Sequence, residues 1–598
     1  MRSLLGRFHR PNARSQTERL FMLNNLGDGS TLSLDFTTGV LDSRLTLERS
    51  TNATFINSQG YVQFAAANMF VNSAWTDANN LPAGWTFGAG TGSVSRSNET
   101  RTLTCAAQQY WWYQQPASRT GLTYSVSVEV TAVSGTILYG DIILAGSSTT
   151  IAWYKDGVLQ ASGSSTPVTT GVITLIFTAN SDNTILRLGL GSAGTNVTGS
   201  VTLRYPQFQQ GQVPLRSYYE NTSTSVARFN SARFDYNPTT TPPTPRGLLI
   251  EGSATNLAVR SDDFNTTVSD GTQWIASGYT AGTLSTTLPD GTTGNARRIS
   301  MASGSGSLRS STITVTASTA YTFSFWARNN GGSQARFRVW NVTAGSSIVD
   351  YTQSVNNYVS QIGGANNTSS TWVRVSVQFT TPAGCTAIYV YPCSSDSGTV
   401  DLLIWGAQVE AGSGASSYIP TGASQATRNR DELTLTNLSS IAFSQTSGTA
   451  FAHVEVREKA TGTFIPYGSF DTSGGGRCWW WLRHNRDASA GTRVLGNVFN
   501  SGGSTAITTS NYQYNSGNGG LVKFATSLDT AASSVVYVIG GASPQTTTAS
   551  AFTLATAARW SVNINSDVAA TDLGSMWMRS FKYWPTNLPN ATLQSLTT

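Results

Sequence analysis

Apolar side chains recur at every second position along much of this chain. From Thr123 to Val130 they fall on Tyr124, Val126, Val128 and Val130. From Trp372 to Phe379, Val373, Val375, Val377 and Phe379 stand on one side and Trp372, Arg374 and Ser376 on the other, and Thr322 to Trp326 alternates in the same way. A period of two marks a half-buried strand, because successive side chains point to opposite faces. Clusters of Gly, Asn, Asp and Ser bound these runs. Asp156-Gly157 and Asp290-Gly291 predict hairpin turns, since glycine adopts the positive φ such turns need. Helical periodicity is nearly absent. The one helix predicted is short, over 588–596, with Pro589 in its first turn and Leu593 and Leu596 on one side. The predicted fold class is all-β, built of antiparallel sandwiches.

The pattern also says one thing twice. Ser217-Tyr218-Tyr219-Glu220-Asn221, running on to Val226-Ala227-Arg228, is echoed 200 residues later by Ser417-Tyr418-Ile419-Pro420-Thr421, running on to Ala426-Thr427-Arg428. Tyr124-Ser125-Val126-Ser127-Val128 is echoed by Tyr321-Thr322-Phe323-Ser324-Phe325 at a spacing of 197. Near-constant spacing implies two copies of one module, a device that multiplies a binding surface more readily than it builds one catalytic centre. The chain divides accordingly into an N-terminal attachment arm (1–30), a small β base unit in two halves (31–68 and 227–256), module one inserted between them (69–226), module two (257–428) and a third β unit (429–598). The stretch from Thr239 to Arg246, with Pro242, Pro243 and Pro245, is expected to be a stiff extended spacer, since proline fixes φ and withholds a donor.

Composition narrows the function classes. Charged residues make up only 11% of the chain, against about 25% in an average globular protein, but aromatics at 10% argue against disorder. The net charge of +6 is small for 598 residues. The basic residues are dispersed except at Arg2, Arg7, His9, Arg10, Arg14 and Arg19. No basic stripe of the kind a nucleic-acid binder carries is present, so the arm reads as a dock onto an acidic protein surface. Cys105, Cys385, Cys393 and Cys478 lack CxxC spacing, and the run between Cys385 and Cys393 would hold their sulfurs apart. They are expected to be buried free thiols of a protein assembled in a reducing cytoplasm. Arg7, His9 and Arg10 interrupt any signal-peptide core, and no run of 18 apolar residues occurs, so membrane insertion is not expected.

Particular segments carry a family resemblance. Leu34-Asp35-Phe36-Thr37-Thr38-Gly39, Ser43 to Phe55 and Gly60-Tyr61-Val62, followed much later by Ala232 to Pro238 and Pro245 to Glu251, resemble a segment that recurs in structural proteins of tailed bacteriophages. Tyr321 to Arg328, Trp372 to Val377, Trp405-Gly406-Ala407-Gln408 and Ser417 to Thr421 resemble the carbohydrate-binding-module-like jelly rolls of the same proteins. Module one is similar but degenerate, with Tyr205-Pro206-Gln207-Phe208 in place of the Trp-Gly-Ala-Gln block. Phe451 to Val456, Met578 to Pro585 and Leu588 to Leu596 resemble a concanavalin A/laminin G-like sandwich. Its last helix usually has a Ser or Thr cap. Here Pro589 stands in that place, leaving Asn590 to cap it or the first turn frayed. The resemblance implies tandem jelly rolls with a terminal concanavalin A/laminin G-like domain, projecting in series as a fibre-like virion appendage. The implied protein docks by its N-terminus to tail, baseplate or capsid proteins, adheres to host-surface glycans and forms a homotrimer. A capsid-bound head fibre or decoration protein and a polysaccharide-degrading tailspike are the alternatives.

Candidate chemistry is sparse. Glu129, Asp141, Glu410, Asp471 and Asp487 are the carboxylates considered for a glycosidase pair, but spacing brings no two together. His9, His453 and His484 lie far apart, and neither GxSxG nor HExxH occurs. No catalytic residue is predicted. Tyr110-Trp111-Trp112-Tyr113 and Trp479-Trp480-Trp481 are the aromatic runs. At least one ring in each faces away from the core of a strand, and exposed rings are where sugars stack. Arg483, with Arg477, His484 and Arg486, surrounds the second run and suits hydroxyl- or carboxylate-bearing glycans. No cofactor is predicted. Calcium enters by family analogy only, with Asp262-Asp263 and Asp401 as analogues and no site named.

Overall fold

The structure is a computed structural model. It describes residues 28–598 apart from 192–193, 212–217, 265, 268–270, 279, 303–305, 334–335, 350–370, 395–397, 458–463, 473–476, 488–490, 500–504, 509–511, 514–518, 549–553, 555 and 563–574. For 280–281, 295, 457, 464–467, 477–487, 491–499, 505–508, 512–513 and 519 it describes the backbone alone. The arm arginines Arg2, Arg7, Arg10, Arg14 and Arg19 lie outside the described residues.

The chain folds as three antiparallel β-sandwiches. Module one packs a four-stranded sheet, ordered Ile143–Ala145, Leu186–Leu190, Tyr110–Gln114, Thr86–Gly90, on a seven-stranded sheet whose centre is Gly171–Ala179, Thr123–Ser134, Val197–Gln210 and Thr100–Gln108. Tyr124, Val126, Val128, Trp112, Leu188 and Phe208 fill the space between them. Module two repeats the plan. A six-stranded sheet of Ile275–Ser277, Ser307–Arg309, Ala387–Ser394, Arg336–Asn341 and Ser346–Val349, with Ile313–Thr314 beside it, faces a five-stranded sheet containing Thr293–Met301, Val400–Ala411, Ala320–Asn329 and Val373–Thr380. The predicted turns form: Asp156 and Gly157 take φ of 48° and 81°, and Gly291 takes 78°. Cys105, Cys385 and Cys393 are buried free thiols.

The base unit is a correction. Its halves do not pair into a unit of their own but complete the terminal sandwich. Leu32–Asp35 and Thr244–Glu251 pair with Ser575–Trp584, and Thr46–Glu48 pairs with Glu432–Leu435. Leu32, Leu34, Leu47, Leu248 and Ile250 enter one core with Leu433, Val454, Phe524, Trp560 and Phe581. Strands such as Leu32–Asp35 and Thr46–Glu48, with two apolar side chains and one, cannot close a core alone. The proline stretch is also corrected: it is the turn and first residues of a hairpin between Phe234–Asn237 and Thr244–Glu251, so Thr244, Pro245 and Arg246 lie in a strand.

Nor do the domains run in series. Each module leaves the terminal sandwich and returns to it at a paired stem, Asn68 with Arg228 for module one and Ala254–Asn256 with Ala426–Arg428 for module two. The final helix, Asn590–Thr597, starts beyond Pro589, whose carbonyl accepts from the N–H of Thr592 (2.9 Å) and Leu593 (3.1 Å). Leu593 docks on Phe451, Val538 and Trp584.

A buried charge network ties sandwich to module two. Arg233 binds Glu251 at 2.7 Å and also Asp431, and Arg49 binds Asp431 at 2.8 Å. Arg428 lies 3.4 Å from Glu251, which also accepts from Ser417 N–H at 2.9 Å. Burial alone would raise both carboxyls, but the surrounding guanidiniums hold Glu251 and Asp431 below the usual range.

Candidate functional site

Each module has two outward sheet faces, and in module two one of them is closed by the chain itself. Trp326, Trp405 and Tyr418 sit on the five-stranded sheet with ring centroids 4.7 to 5.4 Å apart. The hairpin of Thr54–Ile56 and Val62–Phe64 covers them: Val62 and Ile56 pack on the rings, and Thr54 Oγ1 donates to Tyr418 O at 2.6 Å. At 7%, 6% and 3% exposure these rings are not available to a ligand.

The six-stranded sheet is different. In Arg336–Asn341, Phe337 and Val339 point into the core while Arg338 and Trp340 point out. In Ala387–Ser394, Ile388 and Val390 point in while Tyr389 and Tyr391 point out. The register sets Trp340 opposite Tyr389 and Arg338 opposite Tyr391. Arg309, from the neighbouring strand, lays its guanidinium over Tyr389 at 3.8 Å, and Arg338 covers Trp340 at 4.1 Å while donating to Ser347 Oγ at 3.2 Å. All five are half-buried. The result is a platform of three rings interleaved with cations, a surface that can stack pyranose faces and hydrogen-bond their hydroxyls.

Module one carries the counterpart. In Tyr110–Gln114 the period of two divides the predicted cluster. Trp112 is fully buried and packs edge-on against Trp75, so it is core and not a ligand contact. Tyr110 packs on that core and on Phe87 at the sheet edge (5.3 Å), and burial raises its hydroxyl pKa. Trp111 and Tyr113 point outward with centroids 6.2 Å apart. The Trp111 indole lies across Gly88, where a Cβ would come within 1.7 Å of its Cζ3. Arg187, opposite Tyr113 on Leu186–Leu190, covers Trp111 at 4.4 Å.

The second predicted cluster falls in the strand Arg477–Asp487, paired with Phe464–Asp471 and Gly491–Phe499. The side chains of Trp479, Trp480, Trp481 and Arg483 lie outside the described residues. Trp340, Tyr389, Tyr391, Arg309 and Arg338 were not singled out from sequence. Their signal was there: aromatic and cationic residues in the polar phase of strands whose other phase is Phe, Val and Ile.

The considered carboxylates have structural partners. Glu129 forms a two-pronged pair with Arg204 (2.7 and 3.0 Å). Asp141 accepts from Thr195 and from Leu138 N–H, Glu410 from Gln408 and Ser416, and Asp471 from Arg559 and Ser561. Asp487 lies outside the described side chains. For calcium the donors do not fit. Asp401 is taken by Arg298 (2.9 and 2.8 Å), and no group of three or more His, Cys, Asp or Glu that could hold a metal occurs among the described residues. Burial and the neighbouring charges of Asp263 and Asp290 instead push Asp262 up to about 7.

Residues 256–398 match a family model described as a carbohydrate binding domain. The match begins at the stem of module two and spans its entire six-stranded sheet, platform included. Among solved structures, the chain is similar to the N-terminal CBM22-1–CBM22-2 tandem domain of Paenibacillus barcinonensis Xyn10C, at 10% identity over 61% of this chain and 100% of that one, with a TM-score of 0.19. It is also similar to an anti-sigma factor domain-containing protein, at 13% identity over 60% and 94% of the respective chains, with a TM-score of 0.10. No curated protein matches the chain.

Proposed function

We propose that this protein is a non-enzymatic virion appendage of a tailed bacteriophage that adheres to host-surface glycans through the outer faces of its two modules. One observation carries the glycan reading: the arginine-interleaved platform of Trp340, Tyr389 and Tyr391 lies within the segment that matches a carbohydrate binding domain. The pair Trp111 and Tyr113 with Arg187 offers a second, similar surface. Two weak sites on one chain, multiplied in a homotrimer, raise avidity by linkage alone. The phage role is supported by the resemblance of residues 34–62 and 232–251 to virion proteins, with the basic arm as the dock. The structural engagement of Glu129, Asp141, Glu410 and Asp471 favours adhesion over a tailspike hydrolase.

The test is a glycan-array screen of the full chain beside the Tyr389→Ala/Tyr391→Ala variant. Binding by the wild type that the variant loses, at equal melting temperature, supports the reading. Equal binding by both would move the site elsewhere. Electron cryomicroscopy of the virion then assigns residues 1–30 to tail or capsid, separating fibre from head decoration.

A further inference from the structure

The two platforms share a charge pattern that goes beyond stacking. In module one, the four strands of the smaller sheet carry a single charged residue, Arg187. In module two, the strands of the equivalent sheet carry Arg309, Arg336 and Arg338 and no carboxylate. The facing sheets are mixed, and there arginines meet acids, as in Glu129 with Arg204 and Asp401 with Arg298.

An arginine–ring pair also spans the same two strands in both copies. The cross-strand pair bridges equivalent strands with its members exchanged: arginine on Leu186–Leu190 and tryptophan on Tyr110–Gln114 in module one, tyrosine on Ala387–Ser394 and arginine on Ser307–Arg309 in module two. The arrangement thus recurs although the residues that make it do not. Among the described residues no hydrogen bond or ion pair engages Arg187, and its Nε and Trp111 Nε1 are both shielded without a partner. Among the described residues Arg309 donates only to the carbonyl of Ser310, at 3.2 Å. Asp141, the acid closest in sequence to the module-one sheet, is buried on Thr195. A guanidinium held over a ring, with at least two of its nitrogens uncommitted among the described residues, matches the two oxygens of a carboxylate.

Resting on the glycan reading above, we infer that both platforms select carboxylate-bearing saccharides, with Arg187 and Arg309 receiving the carboxylate while Tyr113 and Tyr391 support the ring beside it. The experiment uses the full chain on an array of uronic-acid- and sialic-acid-bearing oligosaccharides printed beside counterparts whose carboxylate is reduced to hydroxymethyl. Acidic members should bind about tenfold or more tightly, the scale of one charge-assisted pair, and lose that advantage as salt rises. The Arg187→Gln/Arg309→Gln variant should bind acidic glycans at about the level of their reduced counterparts. The Arg187→Lys/Arg309→Lys variant should fall between, keeping charge but not the fork. Equal wild-type binding to both classes would overturn the inference and leave glycan adhesion standing, as would a preference that survives the glutamine variant. Binding to no member of either class would overturn the glycan reading itself. If the glutamine variant fails to fold, the salt dependence of the wild type on paired acidic and reduced glycans still decides, and a salt-independent preference would count against it.

Discussion

Tyr205 and Gly406 occupy the same point of the two repeated modules, each in left-handed backbone, with φ of 57° and 66°. Each is followed two residues later by a glutamine that does the same work: Gln207 Oε1 accepts from Tyr219 N–H at 2.9 Å and Gln408 Oε1 from Ile419 N–H at 2.8 Å. The bulge there shifts the register against Thr123–Ser134 and Ala320–Asn329 alike. The degenerate block therefore keeps its backbone and changes its side chains. Where module two sets Trp326 against Trp405, module one sets Glu129 against Arg204.

That position gives a stability test. A Cβ at Gly406 would lie 2.8 Å from Trp326 Cε3 while the backbone stays left-handed. The Gly406→Ala variant should lose about 1–3 kcal/mol, combining the left-handed penalty with crowding in a packed aromatic cluster. Tyr205 already meets the same backbone cost and offsets it by stacking on Tyr218 at 4.5 Å and donating to Glu99 at 2.7 Å. Thermal melting of Gly406→Ala at or above the wild-type temperature would contradict this account.

The charge network makes a steeper prediction. Removing the charge of Asp431 leaves Arg49, Arg233 and Arg428 buried against Glu251 alone, and Asp431→Asn should cost about 3–5 kcal/mol. Both carboxyls have pKa values depressed below their unfolded ones. Their contribution is thus complete above the unfolded carboxylate range and is lost only as pH falls through the lower folded values. Acid denaturation should begin at higher pH in Asp431→Asn than in the wild type, as followed by far-ultraviolet circular dichroism.

How much of this was legible beforehand divides along the range of the interaction. Alternation at Tyr124 to Val130 and turn chemistry at Asp156-Gly157 are local, and they give strand and hairpin directly. The duplication is legible because the echoed tyrosines keep one role, Tyr218 and Tyr418 each bonding a serine hydroxyl, Ser73 and Ser261 (2.9 and 2.6 Å). What escaped was non-local. No local pattern tells Leu32 that its partner is Tyr583, so the halves of the base were assigned to each other. The platform escaped because Tyr389 and Tyr391 form no unbroken aromatic run. The run that did stand out, Tyr110 to Tyr113, is divided by the pleat between core and surface.

Asp262 predicts an opposite pH response. Its pKa in the fold, about 7, lies above the ordinary aspartate value of 3.8, so between those values the folded state holds a proton that the unfolded chain has released. Stability should therefore decline as pH rises from about 4 to 7. Asp262→Asn should melt higher than the wild type at pH 8 and close to it at pH 4. A wild type whose melting temperature gains nothing from this substitution at pH 8 would show that Asp262 is not repelled by Asp263 and Asp290.

The sharpest separation of surface from core lies within two adjacent residues. Trp112 is fully buried among Trp75, Leu188 and Tyr110. Trp112→Ala should cost about 3–5 kcal/mol through the cavity it leaves. Trp111 is half-buried on the outer face, its only aromatic neighbour there Tyr113 among the described residues, and Arg187 covers it. Trp111→Ala should change the melting temperature little but weaken glycan retention in affinity electrophoresis several-fold, because it removes both a stacking ring and the support beneath the guanidinium. The Tyr389→Ala variant should do the same in module two. In a chain with two linked platforms each single variant already forfeits the linkage that raises avidity, so the double variant should lose less than the product of the single losses. A double loss larger than that product would mean that the two modules bind separate glycans rather than one surface.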